Sequence, residues 1–217
     1  MPAVKIPRKS TIVDMTAMCD VAFLLLTFFI LATKQKPPEV LSVNIPGSIS
    51  SKVAPDKAIM ITMVKDGRVF LSLGDETKKK DVLDNVNATR NLGLSPAEIQ
   101  KWSRQEFIGL PLNQIKSFLN MADPIQPAQM PGIPVKDSAN NELVHWMRSV
   151  SNAYAGTDQR ELQNMLLVKG DNEALYPIFK RVKQAFKANE IYKFRIVTNG
   201  EAIPSGSELS NNPNQEN

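Results

Sequence analysis

Residues 15–33 form the one stretch of this sequence that is long and apolar enough to cross a membrane, and a carboxylate lies within it. Asp20 is the only ionisable acid of that stretch. On insertion scales, a carboxylate at the centre of a membrane helix costs roughly 2.5–3.5 kcal/mol. Such side chains usually face a protein partner or a water-filled path, where they pair, bind ions or carry protons. The stretch therefore predicts a membrane anchor, and Asp20 predicts a function for it beyond attachment.

The length of this stretch predicts one transmembrane helix over residues 14–34, preceded by a cytoplasmic tail, residues 1–13. About 20 apolar residues span a bilayer core, and the stretch reaches that length only if Asp20 is included. Three basic residues precede it and two lysines follow it closely, so the positive-inside rule slightly favours a cytoplasmic N-terminus. The short N-terminal tail and the large C-terminal part also fit an anchor with its N-terminus inside and its C-terminus outside.

A cleaved signal peptide is the alternative interpretation, because a basic tail followed by an apolar run is typical of both. Asp14 and Asp20 stand just ahead of the most apolar part, where a signal peptide is normally positive or neutral. No clear Ala-x-Ala cleavage site follows, and Cys19 precedes the apolar run, whereas a lipoprotein cysteine would follow it. The sequence therefore favours a retained membrane helix.

The polar residues of the stretch fall on one side of the predicted helix. At about 100° per residue, Thr16, Asp20 and Thr27 lie within roughly 40° of one another. A polar stripe that contains a carboxylate indicates a helix packed against other protein and not one surrounded by lipid. The alternative is a hydrated Asp20 near the membrane interface, since this residue lies only about five residues, or roughly 7.5 Å, into the stretch.

Composition excludes several functions for the rest of the chain. Cys19 is the only cysteine and there is one histidine, so neither an intramolecular disulfide nor a His/Cys metal cluster can form. The net charge of +4 is mild, and basic runs such as Lys78-Lys79-Lys80 are expected to be solvated, so no nucleic-acid interface is predicted. No catalytic motif is recognisable. We therefore expect no enzyme, no catalytic residue, no metal and no cofactor.

The C-terminal part predicts a small α/β (α+β) domain over residues 58–200. Residues 59–73 have the composition of a β-hairpin, with Asp66-Gly67 as its turn. Near the end of the domain, residue types and apolar spacing predict a strand, a turn, an amphipathic helix and a second strand. These elements cover residues 165–168, 169–171, 173–189 and 192–198.

Residues 75–160 lie between the hairpin and the later elements and predict a helical insert in the domain. Ser95, Pro96 and Glu98 have the spacing of a capping box with proline at the first helical position. This box opens a helix that is expected to run to about residue 107. Two more helices and a proline-rich connector are expected at residues 112–119, 141–154 and 121–134.

Two flanking segments complete the predicted organisation. Residues 35–57 contain Pro37-Pro38 and Gly47, a composition typical of a mobile, extended linker. Residues 201–217 are polar and predict a disordered tail.

Two motifs near the N-terminus, together with the order of the later elements, carry a family resemblance. Thr16 is followed by Asp20-Val21 and a run rich in leucine and phenylalanine. Downstream lies a second motif, Val43, Asn44, Ile45 and Pro46. These motifs resemble the ExbD/TolR family, which has Thr-Pro, then a membrane Asp-Val, and later Val-x-Leu-Pro. Ala17 replaces the family's usual proline and Cys19 an aliphatic residue, but the protonatable group is kept. The order hairpin, strand, helix, strand also resembles the periplasmic domain of ExbD.

The resemblance implies a subunit of an inner-membrane motor driven by the proton motive force. ExbD-like helices sit as a pair inside a ring of ExbB-type subunits, and proton flow drives motion that TonB passes to outer-membrane receptors. By this resemblance Asp20 is the proton-carrying residue, Thr16 and Thr27 support it, and residues 43–46 form a partner-docking linker. The implied partners are an ExbB-like ring protein, a TonB-like protein and a second copy of the chain. The implied location is the inner membrane, with residues 58–200 in the periplasm.

Other functions stay open from the residues alone. A TolR role, with TolQ and TolA in envelope constriction, is barely separable from the ExbD role. A membrane-anchored scaffold or binding protein, in which Asp20 only pairs helices, belongs to a different class. A MotB-like stator also uses a membrane aspartate, but the sequence shows no OmpA-like peptidoglycan-binding domain.

Overall fold

The computed structural model describes residues 15–32, 41–48, 54–121, 126–136 and 140–201. The chain divides into two units, Met1–Glu39 and Val40–Asn217. The predicted cytoplasmic tail 1–13 and all but the first residue of the predicted tail 201–217 lie outside the described residues.

The described part of the first unit is one helix, α1 (Met15–Ala32), of 18 residues. At 1.5 Å per residue it is about 27 Å long, close to the thickness of a bilayer's hydrocarbon core. None of its residues is buried within the protein. Its length and composition are sufficient for a membrane span, which confirms the predicted single-pass helix followed by a mixed helix and sheet domain.

The described part of the second unit contains six strands in two sheets. They are β1 (Gly47–Ser48), β2 (Ile59–Met63), β3 (Val69–Leu73), β4 (Leu166–Gly170), β5 (Arg195–Ile196) and β6 (Asn199–Gly200). The larger sheet has the order β3-β2-β4-β5, with β2 antiparallel to β3 and parallel to β4. The smaller sheet pairs β1 with β6 in parallel.

The predicted hairpin is confirmed, with Ile59 opposite Leu73. Its turn needs Gly67, whose φ of +88° is a conformation that side chains with a Cβ rarely adopt. The Gly67 N–H donates to the Val64 carbonyl at 2.9 Å. Asp66 stabilises the same turn by accepting from the Arg68 N–H at 3.0 Å. The turn residues therefore set the register of the hairpin.

Six α-helices of the second unit are described. They are α2 (Glu76–Arg90), α3 (Pro96–Ser103), α4 (Ile115–Leu119), α5 (Leu143–Ala153), α6 (Gln159–Met165) and α7 (Tyr176–Lys187). The capping box at α3 is confirmed: the Ser95 hydroxyl accepts from the Glu98 N–H, and the Glu98 carboxylate accepts from the Ser95 N–H at 2.7 Å. α3 ends at Ser103, earlier than the expected residue 107.

The insert shares one hydrophobic core with the sheet. Trp102 of α3 and Trp146 of α5 are buried and pack edge to face, with ring centroids 5.4 Å apart. They belong to the same cluster of buried residues as Ile61 of β2 and Phe70 of β3. The insert is therefore part of the domain's core and not a separate attachment.

The insert also covers the outer edge of β3. Leu71 and Ile108 exchange two backbone hydrogen bonds, at 2.9 and 2.7 Å. Beyond them, the Ile133 N–H donates to the Val69 carbonyl at 2.7 Å. An uncovered edge strand presents unpaired backbone groups that other chains can bind. The insert thus satisfies polar groups that the hairpin alone would leave exposed.

Three local predictions were wrong. The turn expected at residues 169–171 begins later, because Lys169 and Gly170 pair with β2 and extend β4. The last strand is shorter than residues 192–198, since only Arg195–Ile196 belong to the larger sheet. Lys79 is not solvated: it is 4% exposed and its ammonium donates to the Gln105 carbonyl. Burial lowers the pKa of Lys79, partly offset by Glu76 and Glu106.

Candidate functional site

Asp20 lies in the second turn of α1, about 7.5 Å from the start of the helix. The sequence forms a helix here because leucine, methionine and alanine favour helix and no proline or glycine interrupts residues 15–32. Among the residues that the structure describes, Asp20 has no hydrogen-bond or ion-pair partner. Its carboxylate is therefore exposed on the surface of an apolar helix.

Thr27 satisfies its own hydroxyl within α1. The Thr27 Oγ1 lies 3.0 Å from the carbonyl oxygens of both Phe23 and Leu24 and donates its proton to them. Such back-bonding is common for threonine inside helices and removes the hydroxyl's need for another acceptor. Thr16 also has an interaction of its own. The three residues share one side of the helix, but the structure does not join either threonine to Asp20.

Thr16, Asp20 and Thr27 thus differ in one respect: within the described residues, only the Asp20 side chain lacks a hydrogen-bond partner. In an apolar environment, a lone carboxylate is stable only if it is neutral, paired with another protein group or in contact with water. Uptake and release of a proton at this carboxyl group is one chemistry that the arrangement allows, and pairing with a group of another chain is another. Within the described residues, no group of His, Cys, Asp and Glu side chains could hold a metal ion.

Residues 41–48, which the sequence assigned to the linker 35–57, pack onto the domain. Leu41 and Val43 are 6% and 7% exposed and belong to its hydrophobic core. Ile45 is half-buried against the same core. We call residues 41–48 the attached segment. It contains the predicted docking motif 43–46, so the backbone of that motif is already in contact with the chain's own domain.

Asp171 and Asn199 hold the attached segment in place. The Asp171 carboxylate accepts from the Asn44 N–H at 3.1 Å and from the Glu173 N–H at 2.9 Å. The Asn199 N–H donates to the Pro46 carbonyl at 2.9 Å, and its side-chain amide to the Ile45 carbonyl at 3.2 Å. We call Asp171 and Asn199 the clamp residues.

The sequence analysis missed both clamp residues. One signal was available for the segment itself: apolar Leu41, Val43 and Ile45 alternate with other residues, which is typical of a half-buried extended strand. For Asp171, an aspartate directly after a strand predicts a local turn, and its bond to the Glu173 N–H is such a turn. Neither signal predicts that Asp171 contacts the attached segment.

The fold and the site together define a class of protein: a single-pass membrane protein whose apolar helix carries one carboxylate and precedes an α+β domain. A family model described as "Biopolymer transport protein ExbD/TolR" matches residues 7–201, a range that includes the insert. The chain belongs to the ExbD/TolR family. No curated protein matches it, and no solved structure does.

Membership gives the general role of the chain. Members of this family are biopolymer transport accessory proteins and not enzymes. They generally work in membrane complexes with ExbB- or TolQ-type and TonB- or TolA-type partners. The family and the single apolar helix together indicate a single-pass inner-membrane protein.

Proposed function

We propose that this chain is the proton-carrying subunit of an ExbB–ExbD-type inner-membrane motor, which uses the proton motive force to energise TonB-dependent transport across the outer membrane. Asp20 is the residue that takes up and releases the proton. The observation that carries the proposal is the position of Asp20: an acid without a partner in the described chain, on an apolar helix long enough to span a membrane.

The energies involved are of matching size. Placing a charged carboxylate in a membrane helix costs roughly 2.5–3.5 kcal/mol. One elementary charge that crosses a potential of 100 mV releases about 2.3 kcal/mol. A protonated Asp20 can therefore move past an apolar surface of a surrounding ring, and the deprotonated form returns to a polar site of that ring. The energy released by one charge is thus comparable to the cost of the carboxylate, as a cycle driven by the proton motive force requires.

The proposed partners are those that the family resemblance implies. An ExbB-like ring protein encloses α1 and supplies the polar site for the charged form of Asp20. A second copy of this chain lies in the same ring. The domain over residues 58–200 lies in the periplasm, where it transmits motion to a TonB-like protein. The stripe residues Thr16 and Thr27 face the ring, and protons are the coupling ion, without another cofactor.

The test is Asp20→Asn, which removes the titratable group and keeps the size and polarity of the side chain. The variant is expressed in a host that lacks its own copy, and energised uptake of an iron chelate is measured. Uptake should fall to the level of the empty host, whereas membrane content and co-purification with the ring protein should stay unchanged. Thr27→Ser is the matched control on the same side of the helix, because it keeps the hydroxyl that donates to the Phe23 and Leu24 carbonyls, and it should keep uptake.

Three outcomes would contradict the proposal. Normal uptake with Asp20→Asn would show that the carboxyl group carries no proton in the transport cycle. Loss of co-purification in the same variant would favour a scaffold in which Asp20 only pairs helices. An unaffected uptake with impaired envelope constriction would favour the TolR role.

A further inference from the structure

An apolar groove runs along α7 on the surface of the domain. It has a volume of about 250 Å³ and lies between one side of α7 and residues 191–194. Phe186 and Phe194 form its floor, with ring centroids 5.2 Å apart. Tyr192 lines it on the side opposite the helix and is 69% exposed. The volume is below that of most small-molecule sites but suits one bulky apolar side chain.

A line of lysines borders this groove. Lys180, Lys183 and Lys187 are spaced by three and four residues, so they share one side of α7, and all three line the groove. Within the described chain, the ion pairs are Lys57–Asp75 and Arg68–Asp66, and none of the three lysines joins a carboxylate. Lys183 lies 5.8 Å from the Phe179 ring. We call this surface the lysine groove.

The surrounding sequence has a strong excess of positive charge. Between Tyr176 and Ile196 the chain has six lysine or arginine residues and one acid, Glu190. This excess is larger than the net charge of +4 of the whole chain, so the positive charge is concentrated around the lysine groove. Positive potential of this kind attracts acidic partners and favours their binding over that of basic ones.

We propose that the lysine groove binds an acidic segment of a partner protein, which places one bulky apolar side chain, such as phenylalanine or leucine, between α7 and Tyr192. The apolar floor accepts that side chain, and carboxylates on either side of it pair with Lys180, Lys183 and Lys187. Protein interfaces are typically held by such an apolar side chain in a pocket with a charged rim. A concave groove fits an inserted side chain, whereas a flat lipid surface would leave the floor empty.

The test measures binding of fluorescein-labelled peptides to the full chain in nanodiscs of uncharged lipid, by fluorescence anisotropy. The first peptide has one phenylalanine flanked by glutamates. The second has alanine in place of the phenylalanine, and the third has lysines in place of the glutamates. The first should bind about tenfold or more tightly than the second, because burying a phenylalanine contributes at least that factor. It should also bind about tenfold or more tightly than the third, whose lysines repel those of the groove. High salt should weaken its binding.

Variants of the chain locate the binding site. Lys183→Glu combined with Lys187→Glu should weaken binding of the first peptide about tenfold or more, since two attractive charges become repulsive. Lys65→Glu combined with Lys80→Glu is the matched control: it changes the net charge equally at exposed positions outside the groove, and it should bind normally. Tyr192→Ala should reduce the advantage of the first peptide over the second.

Several results would overturn the inference. Equal binding of the first two peptides would show that no apolar side chain is inserted. Equal binding by the two double variants would show that the lysine groove is not the site. Binding of soluble anionic lipid micelles without a preference among peptides would assign this face to a lipid surface. Asp20→Asn should leave peptide binding unchanged, so this inference and the proposed proton function can fail separately.

Discussion

Replacing Asp171 with alanine should release the attached segment, residues 41–48, from the domain. Its carboxylate accepts two backbone hydrogen bonds, from Asn44 and Glu173, and the residue is 9% exposed. A hydrogen bond to a charged group contributes about 1.5–3 kcal/mol. Only the bond to Asn44 joins the attached segment to the domain, because Glu173 belongs to the same turn as Asp171. We take the low end of the range for this part-buried bond of 3.1 Å, so Asp171→Ala should weaken the attachment by about 1.5 kcal/mol.

Hydrogen–deuterium exchange of the full chain measures this opening directly. The useful reporters are amides that depend on the attached segment but do not bind Asp171 itself. The Asn199 N–H donates to the Pro46 carbonyl and the Glu201 N–H to the Ser48 carbonyl, both at 2.9 Å. A loss of about 1.5 kcal/mol should speed their exchange roughly tenfold, since each 1.4 kcal/mol is a factor of ten.

Two further variants control this experiment. Asp171→Asn keeps an acceptor oxygen but removes the charge, so it should have a smaller effect of the same kind. Glu98→Ala removes another carboxylate that accepts a backbone N–H, from Ser95 in the cap of α3, and should leave exchange at Asn199 and Glu201 unchanged. If Asp171→Ala also leaves these amides unchanged, burial of Leu41 and Val43 holds the segment and the reasoning about the carboxylate is refuted.

Two other predictions concern the stability of the domain, measured by urea unfolding of the full chain in detergent and followed by tryptophan fluorescence. Trp146→Ala should cost about 3–5 kcal/mol, because it leaves a cavity beside Trp102; a loss below 1 kcal/mol would contradict the shared core. The pKa of His145 is lowered from its usual value of 6.5, mainly because the imidazole is partly buried and also because Arg90 and Arg148 are positively charged. The unfolded chain therefore binds this proton more readily, and stability should fall as the pH drops below 6.5. His145→Gln should flatten this dependence between about pH 5 and 7.5, and an unchanged slope would assign it to other groups.

Elements with local signals could be predicted from the sequence. The hairpin follows from Asp66-Gly67, whose turn needs a positive φ, and α3 from its capping box at Ser95 and Glu98. α2 was harder to predict because its run Lys78-Lys79-Lys80 is typical of a solvated surface. In the fold, Lys79 is buried because other helices of the insert pack against α2, and the Gln105 carbonyl accepts from its ammonium. Such a contact depends on tertiary packing, which residue types alone do not determine.

The attached segment is a second feature that residue types alone do not determine, and here the deciding contact joins residues far apart in the sequence. Prolines such as Pro46 favour extended backbone, but an extended chain is compatible both with a free linker and with a strand on a domain. What decides between them is a hydrogen bond between Asn44 and Asp171, which are 127 positions apart. No periodicity or local motif contains that information. The resemblance therefore predicts a docking role for residues 43–46, but it does not predict their attachment to the domain.

Asp20 is the opposite case, because its importance is a local property. The cost of a carboxylate on an apolar helix follows from the residue and its neighbours alone, so the sequence is sufficient to predict a role for Asp20. In the described part of the chain, the Thr27 hydroxyl has hydrogen-bond acceptors within its own helix, whereas the Asp20 carboxylate has no partner. A carboxylate without a partner in its own chain must obtain one from another chain, from water or from a proton. For this reason the test of its role is made in the proposed complex with a ring protein, where Asp20→Asn separates proton transfer from helix pairing.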